Sequence, residues 1–493
     1  MTEHLPVLQV ILPLLSAPLC VVIRHRGAIR LLTLAVSWVS LAISGTLLAH
    51  VHQHGPISYE LGGWAPPWGI EYRVDALNAY ILLIVNMIAA IVLPYAPKSL
   101  AREVPRHKQH LFMATFMLCL SGLLGIAITG DIFNIFVFLE ISSLSSYVLI
   151  SMGQGRRALT AAYQYLIMGT IGGTFFLIGI GLLYMMTGTL NIADMASRID
   201  EVMATRTVMA AFAFLTVGVC IKLALFPLHA WLPNAYTFAP SMITAFLAAT
   251  ATKVSFYLLL RILFTVFGLH YAFSTMHIGR VLLPIALLAI FIASTVAIYQ
   301  TNVKRLLAYS SLAQVGYMVL GLSLAHVTDG AGLTAAILHL FNHALMKGGL
   351  FLALGCVFFS IGSVHLKDMR GIGRTMPWTM AAFVIGGLNL IGVPFTCGFI
   401  SKWYLLLAAL EVDALWLAAL ILISSLLAAI YIWKVIEVAY FQEPDDPTRR
   451  EAPLGMLLPV WIMMLASIVF GFYTRLPLGA AQRAAEFLLG GPA

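Results

Sequence analysis

The chain has 493 residues, of which 61% are apolar and only 10% charged, against roughly 45–50% and 25% in soluble globular chains. That excludes a string of soluble domains: at about 33 residues per span plus loop, the length instead holds roughly 14 or 15 membrane helices of about 20 residues each. The net charge of +8 would point to nucleic acid in a soluble protein, but here it is first a question of membrane topology.

Apolar runs bounded by Gly, Pro and charged clusters predict fourteen spans, near residues 6–23, 29–49, 76–96, 110–129, 132–151, 161–187, 207–235, 241–267, 281–300, 305–326, 331–361, 378–410, 413–441 and 454–476. The fold class is therefore an all-α, polytopic membrane protein. The opening MTEHLPVLQV lacks the basic stretch of a signal peptide, so the first run is expected to stay as a span. Basic residues mark the cytoplasmic side. The loop set that begins with Arg24, Arg26 and Arg30 and ends with Arg449 and Arg450 holds sixteen Lys and Arg, and the alternate set with both tails holds six. An even span count with this bias puts both termini outside a plasma or inner membrane.

The five cysteines, Cys20, Cys119, Cys220, Cys356 and Cys397, stand singly in apolar stretches with no CxxC pair. That argues against a disulfide framework, an iron–sulfur cluster or a structural zinc site. No Walker A or GxGxxG fingerprint occurs either, and the glycines of GGTFFLIGIG lie inside an apolar run where small residues mark helix contacts. No cofactor site is expected.

Six basic residues fall inside the predicted spans: Lys222, Lys253, Arg261, Lys347, Lys402 and Lys434, joined by Glu140, Glu437, His339 and His343. Each Lys, Arg or Asp at mid-helix costs about 2.5–3.5 kcal/mol to insert, so the default reading is a charge or proton pathway. Glu140, in GDIFNIFVFLEISSLSSYVLIS, sits near the bilayer middle and is followed by four serines and Tyr147. It is either a hydrogen-bonded packing residue or a carboxylate that tunes the proton affinity of a nearby lysine.

Lys222 precedes Pro227 and Pro233 in VGVCIKLALFPLHAWLPNAY. Proline breaks a helix, and a break at membrane depth is tolerated only when buried or lining water. Lys402 repeats the arrangement in NLIGVPFTCGFISKWYLLL, with Pro394 and Gly398 before it. Proline follows one lysine and precedes the other, a reversal that suits an inverted repeat. Lys253, in the span after the first break, bridges Lys222 towards HLFNHALMK, where His339, His343 and Lys347 stand at i, i+4 and i+8. Each step of four rotates about 40° and rises about 6 Å, so the three form a ladder on one face. Histidine titrates near neutrality and suits a relay. The alternatives are an HxxxH metal pair, for which no third ligand stands at a suitable offset, and satisfied core histidines.

Arg261 reads as a snorkelling residue near the outer end of its span. Lys434 and Glu437, at i and i+3, read as a structural ion pair. Lys304 and Arg305 read as topology determinants. A row of coupled basic groups gated by Glu140 and Lys222 would move protons laterally between two half-channels, since a buried lysine holds its proton less tightly.

The segments GDIFNIFVFLEISSLSSY, KLALFPLHAWLPNAY, NVKRLLAYSSLAQVGYM, HLFNHALMKGGLFL and GVPFTCGFISKW together resemble the antiporter-like subunits shared by Mrp-type Na+/H+ antiporters and respiratory complex I, over roughly residues 75 to 440. The resemblance implies about 14 transmembrane helices with two inverted five-helix repeats and broken helices. It divides the chain into N-terminal helices (1–109), a first repeat (110–267), a second repeat (281–441), and a last helix with a short tail (454–493). It also implies a functional Glu140–Lys222 pair, a bridging Lys253, a central relay of His339, His343 and Lys347, and Lys402 in the second half-channel. Where the family often has two consecutive prolines in the second break, here Pro394 stands alone before Phe395, which leaves the shape of that break open.

The tail RLPLGAAQRAAEFLLGGPA leaves no room for the lateral helix of the largest antiporter-like protein of complex I or for the extra spans of the Mrp A-type protein. The stretch ELGGWAPPWGIEYRVDALNAYIL resembles the Mrp D-type protein. The expected function is proton translocation coupled to Na+ or another monovalent cation in a hetero-oligomer of membrane subunits, with no nucleic acid, metal or cofactor. A proton-pumping component of a complex I-like NADH:quinone oxidoreductase or membrane-bound hydrogenase is the alternative.

Overall fold

Inside a bilayer a helix satisfies all of its own backbone N–H and C=O groups, and the computed structural model of this chain is built almost wholly of helices. It describes residues 4–490 except Gln154, Asp445, Pro447 and Arg449. Arg449, one of the basic residues used to read the topology, thus lies outside the described residues.

The first helices are α1 (Leu5–Ile23), α2 (Arg26–His54), α3 (Ala76–Val92), α4 (Ala96–Glu103), α5 (Gln109–Ile128), α6 (Ile132–Ser151) and α7 (Arg156–Thr187). Then come α8 (Ile192–Arg198), α9 (Arg206–Leu223), α10 (Leu232–Phe238), α11 (Ser241–Leu260), α12 (Ile278–Tyr299), α13 (Val303–Ser323) and α14 (Ala331–Ile361). The chain closes with α15 (Ile372–Thr375), α16 (Pro377–Ile391), α17 (Cys397–Glu411), α18 (Leu415–Phe441), α19 (Leu454–Phe472) and α20 (Arg475–Leu488). Among the described residues, 13 helical stretches are long and apolar enough to cross a membrane. The span expected at 378–410 is instead two 15-residue helices, α16 and α17, on either side of a break. The span expected at 207–235 divides in the same way, with α9 ending at Leu223 and α10 starting at Leu232. The protein is the polytopic all-α membrane protein that its composition predicts.

Two elements were not expected. Residues Ile57–Glu60 (β1) and Glu71–Val74 (β2) pair antiparallel, with Ile57 opposite Val74 and Glu60 opposite Glu71. Strands of four residues are too short for their alternation to stand out beside the long apolar runs. The tail is not featureless either: α20 buries Ala481, Ala484, Ala485 and Leu488 against α3 and α14. The hairpin and the start of α1 lie at one end of the bundle, where His4 Nδ1 meets Tyr59 OH at 3.0 Å. That end is called the hairpin side below.

Burial separates a centre from a periphery. In the most apolar stretches of α11 and α13, 89% and 94% of residues are buried, against 39% in α7, α12, α18 and α19. The latter group presents its apolar surface outward, as lipid-facing helices do. α11 packs against α9, α14 and α3, and α14 against α13 and α17. The two breaks, α9–α10 and α16–α17, therefore flank a buried centre made of α11, α13 and α14.

Candidate functional site

Lys222 stands in the last turn of α9 with 6% of its surface exposed. Its ammonium donates to Ser143 Oγ at 2.8 Å and to Glu140 Oε1 at 3.3 Å. Glu140 and Ser143 are three residues apart on α6, so one helix face presents both to the lysine. α9 ends immediately afterwards, because Ala224 turns left-handed at φ 58° and its amide caps Cys220 and Ile221. Trp231 Nε1 donates to the Ile221 carbonyl at 3.0 Å, and its ring lies flat on Tyr165 with centroids 3.8 Å apart. The break is thus held open by specific partners. Pro227 lies within it, whereas Pro233 occupies the first turn of α10, where no N–H is needed.

A cavity of about 30 Å³ separates Lys222 from α11, lined by Ser142, Ser143, Ser146 and, from α11, Ser255. That is room for a water. Lys253 on α11 is fully buried. Its ammonium donates to the Ala248 carbonyl and, at 3.3 Å, to Thr252 Oγ1, and it lies within Coulomb range of His339, His343 and Lys347.

Those three side chains are 3% exposed or less. The rings of His339 and His343 stack with centroids 6.0 Å apart and planes 9° from parallel. His339 Nδ1 shares a hydrogen bond with Ser401 Oγ at 2.8 Å, and both ring nitrogens of His343 lack a protein partner among the described residues. Lys347 donates to the Leu307 carbonyl at 2.9 Å and to Ser310 Oγ on α13. Parallel rings without a convergent third ligand do not make a metal site, and the described residues contain no cluster that would hold one.

Lys402 lies on α17, beyond the second break. It reaches back to the last carbonyls of α16, Leu390 at 3.1 Å and Ile391 at 2.9 Å, and to Ser425 Oγ at 2.9 Å. A cation there meets the negative end of the half-helix. The break is stitched by Asn389, whose Oδ1 accepts the Gly398 amide at 2.7 Å. Its shape is also settled: Gly392 and Phe395 turn left-handed at φ 84° and φ 70°. Proline, locked near φ −65°, is excluded from position 395 in this geometry. Tyr317 of α13 links the two regions, its ring edge-on to His339 at 5.6 Å and beneath the Lys402 ammonium at 4.8 Å.

The structure therefore places Glu140 with Lys222, His339 with His343, and Lys402 one residue from the Ser401 that touches His339. Two expectations are corrected, those for Arg261 and Lys434. Arg261 does not snorkel: it is 6% exposed and pairs with Asp75. Lys304, read as a topology determinant, is 4% exposed and donates to the Ala239 carbonyl at 3.0 Å. Lys434 does not pair with the exposed Glu437 but donates to the carbonyls of Ile298 at 2.8 Å and Gln300 at 3.2 Å, the free end of α12. Ser310, Tyr317, Ser401 and Ser425 were missed. The run YSSLAQVGY in α13 held a signal, since polar groups in a membrane helix need partners.

Comparison with known proteins completes the picture. Residues 129–428 match the family described as NADH:quinone oxidoreductase/Mrp antiporter, TM. The N subunit of the NADH-quinone oxidoreductase of Desulforudis audaxviator is 42% identical, with 96% of this chain and 97% of the relative covered. The D subunit of the Na(+)/H(+) antiporter of Alkalihalophilus pseudofirmus is 30% identical over 95% of this chain and 94% of the relative. A chain of the membrane-bound sulfane sulfur reductase, an archaeal respiratory membrane complex, superposes with a TM-score of 0.90 at 31% identity, covering 99% of this chain and 98% of that one. A full-length match of this kind, joined to the two broken helices and their lysines, leaves one conclusion: the chain belongs to the antiporter-like membrane subunits shared by Mrp antiporters and NADH:quinone oxidoreductase.

Proposed function

We propose that this chain conducts protons within the membrane part of a multi-subunit complex, along Glu140, Lys222, Lys253, His343, His339 and Lys402, with Lys347 as a side branch. The supporting observation is the set itself: lysines and histidines, each costly to bury alone, are gathered in the buried centre flanked by two helix breaks, and Lys222, Lys253, His339, Lys347 and Lys402 each meet a hydroxyl there. A proton held at Lys222 by Glu140 and Ser143 passes the water-sized cavity to α11 and Lys253. It then crosses the stacked imidazoles and reaches Lys402 by way of Ser401. Lys222 precedes its break and Lys402 follows its own, which supports residues 110–267 and 281–441 as two inverted five-helix units, flanked by 1–109 and 454–493.

Glu140 also points to a partner. It is 23% exposed and lies on the outward stripe of α6 with Val137 and Leu144, which are 38% and 50% exposed. A carboxyl group is costly against acyl chains, so this stripe faces another membrane protein of the complex. The excess of basic residues on alternate loops supports an inner-membrane orientation with both termini outside.

The resemblance of the third-span region to the Mrp D-type protein favours a secondary transporter that exchanges protons for Na+. The 42% identical relative named as part of an NADH-quinone oxidoreductase favours a redox-driven assembly using the same path. Vesicles holding the assembled complex separate the two. A pH change driven by a Na+ gradient without electron donor supports the antiporter, and one requiring a quinone-linked donor supports the redox assembly. In either case Lys222→Ala and Glu140→Ala are expected to abolish the flux, and wild-type flux in both at normal assembly would overturn the relay.

A further inference from the structure

From Lys253 of the relay a second ladder runs along α11 and into the turn that follows it, through two residues the relay does not use. Lys253, Tyr257 and Arg261 follow one another at steps of four, about 12 Å of helix in all, and are 0%, 1% and 6% exposed. Arg261 Nε donates to Tyr257 OH at 3.0 Å, and its guanidinium pairs with Asp75. Tyr257 OH donates to the Ala127 carbonyl at the end of α5 at 2.8 Å. Asp75 Oδ1 meanwhile caps α3 through the amides of Leu77 and Asn78, both at 3.1 Å. On the hairpin side of this junction lies a cavity of about 220 Å³, lined by Glu71, Arg73, Asp75, Tyr257 and Arg261 and walled by Phe487 of α20. It has room for several waters. Glu71 there already accepts from Ser58 at 2.6 Å and Asn191 at 2.9 Å, so Asp75 is the carboxylate coupled to α11.

We propose that Lys253, Tyr257 and Asp75 form a proton port from the middle of the relay to the hairpin-side cavity, with Arg261 as its gate. The port rests on the relay reading and adds where that relay meets the hairpin side. Arginine stays protonated in proteins, so Arg261 passes no proton on; by occupying Asp75 with its guanidinium it keeps the port closed. When the pair loosens, the Lys253 ammonium gives up one proton through water to the Tyr257 oxygen. The phenol's own proton passes to Asp75, and the new carboxyl releases it to the cavity. One N–H bond at Lys253 is broken, one O–H bond at Asp75 forms and breaks, and Tyr257 ends with the single O–H it began with.

The test uses the assembled complex in sealed vesicles. Tyr257→Phe keeps the ring and removes the hydroxyl. Asp75→Asn keeps an N-cap for α3 and an acceptor for Arg261 but takes up no proton. Each is expected to lower flux by about a hundredfold, as the loss of a positioned proton-transfer group does, with assembly near wild type in Tyr257→Phe and a lower thermal midpoint, since the Ala127 carbonyl and Arg261 Nε lose their partner. An impermeant thiol reagent added from the hairpin side is expected to slow an Ala193→Cys complex, since Ala193 is exposed at the cavity while the five native cysteines are buried. Wild-type flux in Tyr257→Phe and Asp75→Asn, where Lys222→Ala is inactive, overturns the port and leaves the relay standing. Wild-type flux in all three overturns the relay itself. If Asp75→Asn fails to assemble, Tyr257→Phe decides alone: wild-type flux per complex overturns the port.

Discussion

At Lys402 one ammonium satisfies the end of a half-helix and, on the proposed relay, also exchanges a proton. Those roles separate by substitution. Lys402→Arg keeps a permanent cation for the Leu390 and Ile391 carbonyls but does not release a proton, so the complex is expected to assemble with nearly unchanged thermal stability and lose its flux. Lys402→Met leaves the carbonyls without that donor and is expected to cost about 1–3 kcal/mol, visible as a lower midpoint in thermal unfolding of the purified complex. Equal midpoints for the two variants would contradict the capping role. The charged residues of the site were legible in the sequence because each is expensive in a membrane and stands out from an apolar background. Their partners were not, since a serine costs little in a membrane helix and many such positions look alike. Arg261 was misread for a related reason: its partner Asp75 lies 186 residues away in the sequence, and nothing local betrays the pair.

The two breaks are elements in their own right, each closed by its own side chains. In the second, Gly392 sits at φ 84° and an added Cβ would press on Lys402 Cδ at 2.9 Å. Gly392→Ala is therefore expected to destabilise the complex by about 1–2 kcal/mol from the left-handed backbone alone and to reduce flux by displacing the lysine. Phe395 bears the same strain at φ 70° with 67% of its surface exposed. Phe395→Gly should relieve about 1 kcal/mol, whereas Phe395→Pro should prevent the break from closing. Thermal midpoints of the three variants check these directions. Proline marked both breaks in the sequence. Their shapes depend on Asn389, Trp231 and three left-handed residues, Ala224, Gly392 and Phe395, whose conformations no periodicity reveals.

Over the whole molecule, charge subtraction traced the centre only in part: α11 and α14 carry unexplained ionisable residues and are largely buried, but α13 is the most buried stretch without any of them, and the outward-facing α18 carries Lys434 and Glu437. What escaped were the parts beyond the apolar runs, the hairpin and α20, whose patterns are short or diluted. α20 is expected to matter. Ala484 is fully buried where α20 meets α3 and α14, and Ala484→Glu would bury a charge without a partner, costing about 3 kcal/mol or releasing the helix. Faster proteolysis after α19 in the variant complex, with α19 and the core intact, would register the release.

The stacked imidazoles impose a rule of traffic. At 6.0 Å, two protonated rings would repel by roughly 3 kcal/mol at an effective dielectric constant near 20, with Lys253 and Lys347 adding to the penalty. Double occupancy is thereby suppressed, and a newcomer enters only as a predecessor departs. On the proposed relay, charge crosses the centre of this protein in single file, so turnover is set by vacancies rather than by supply.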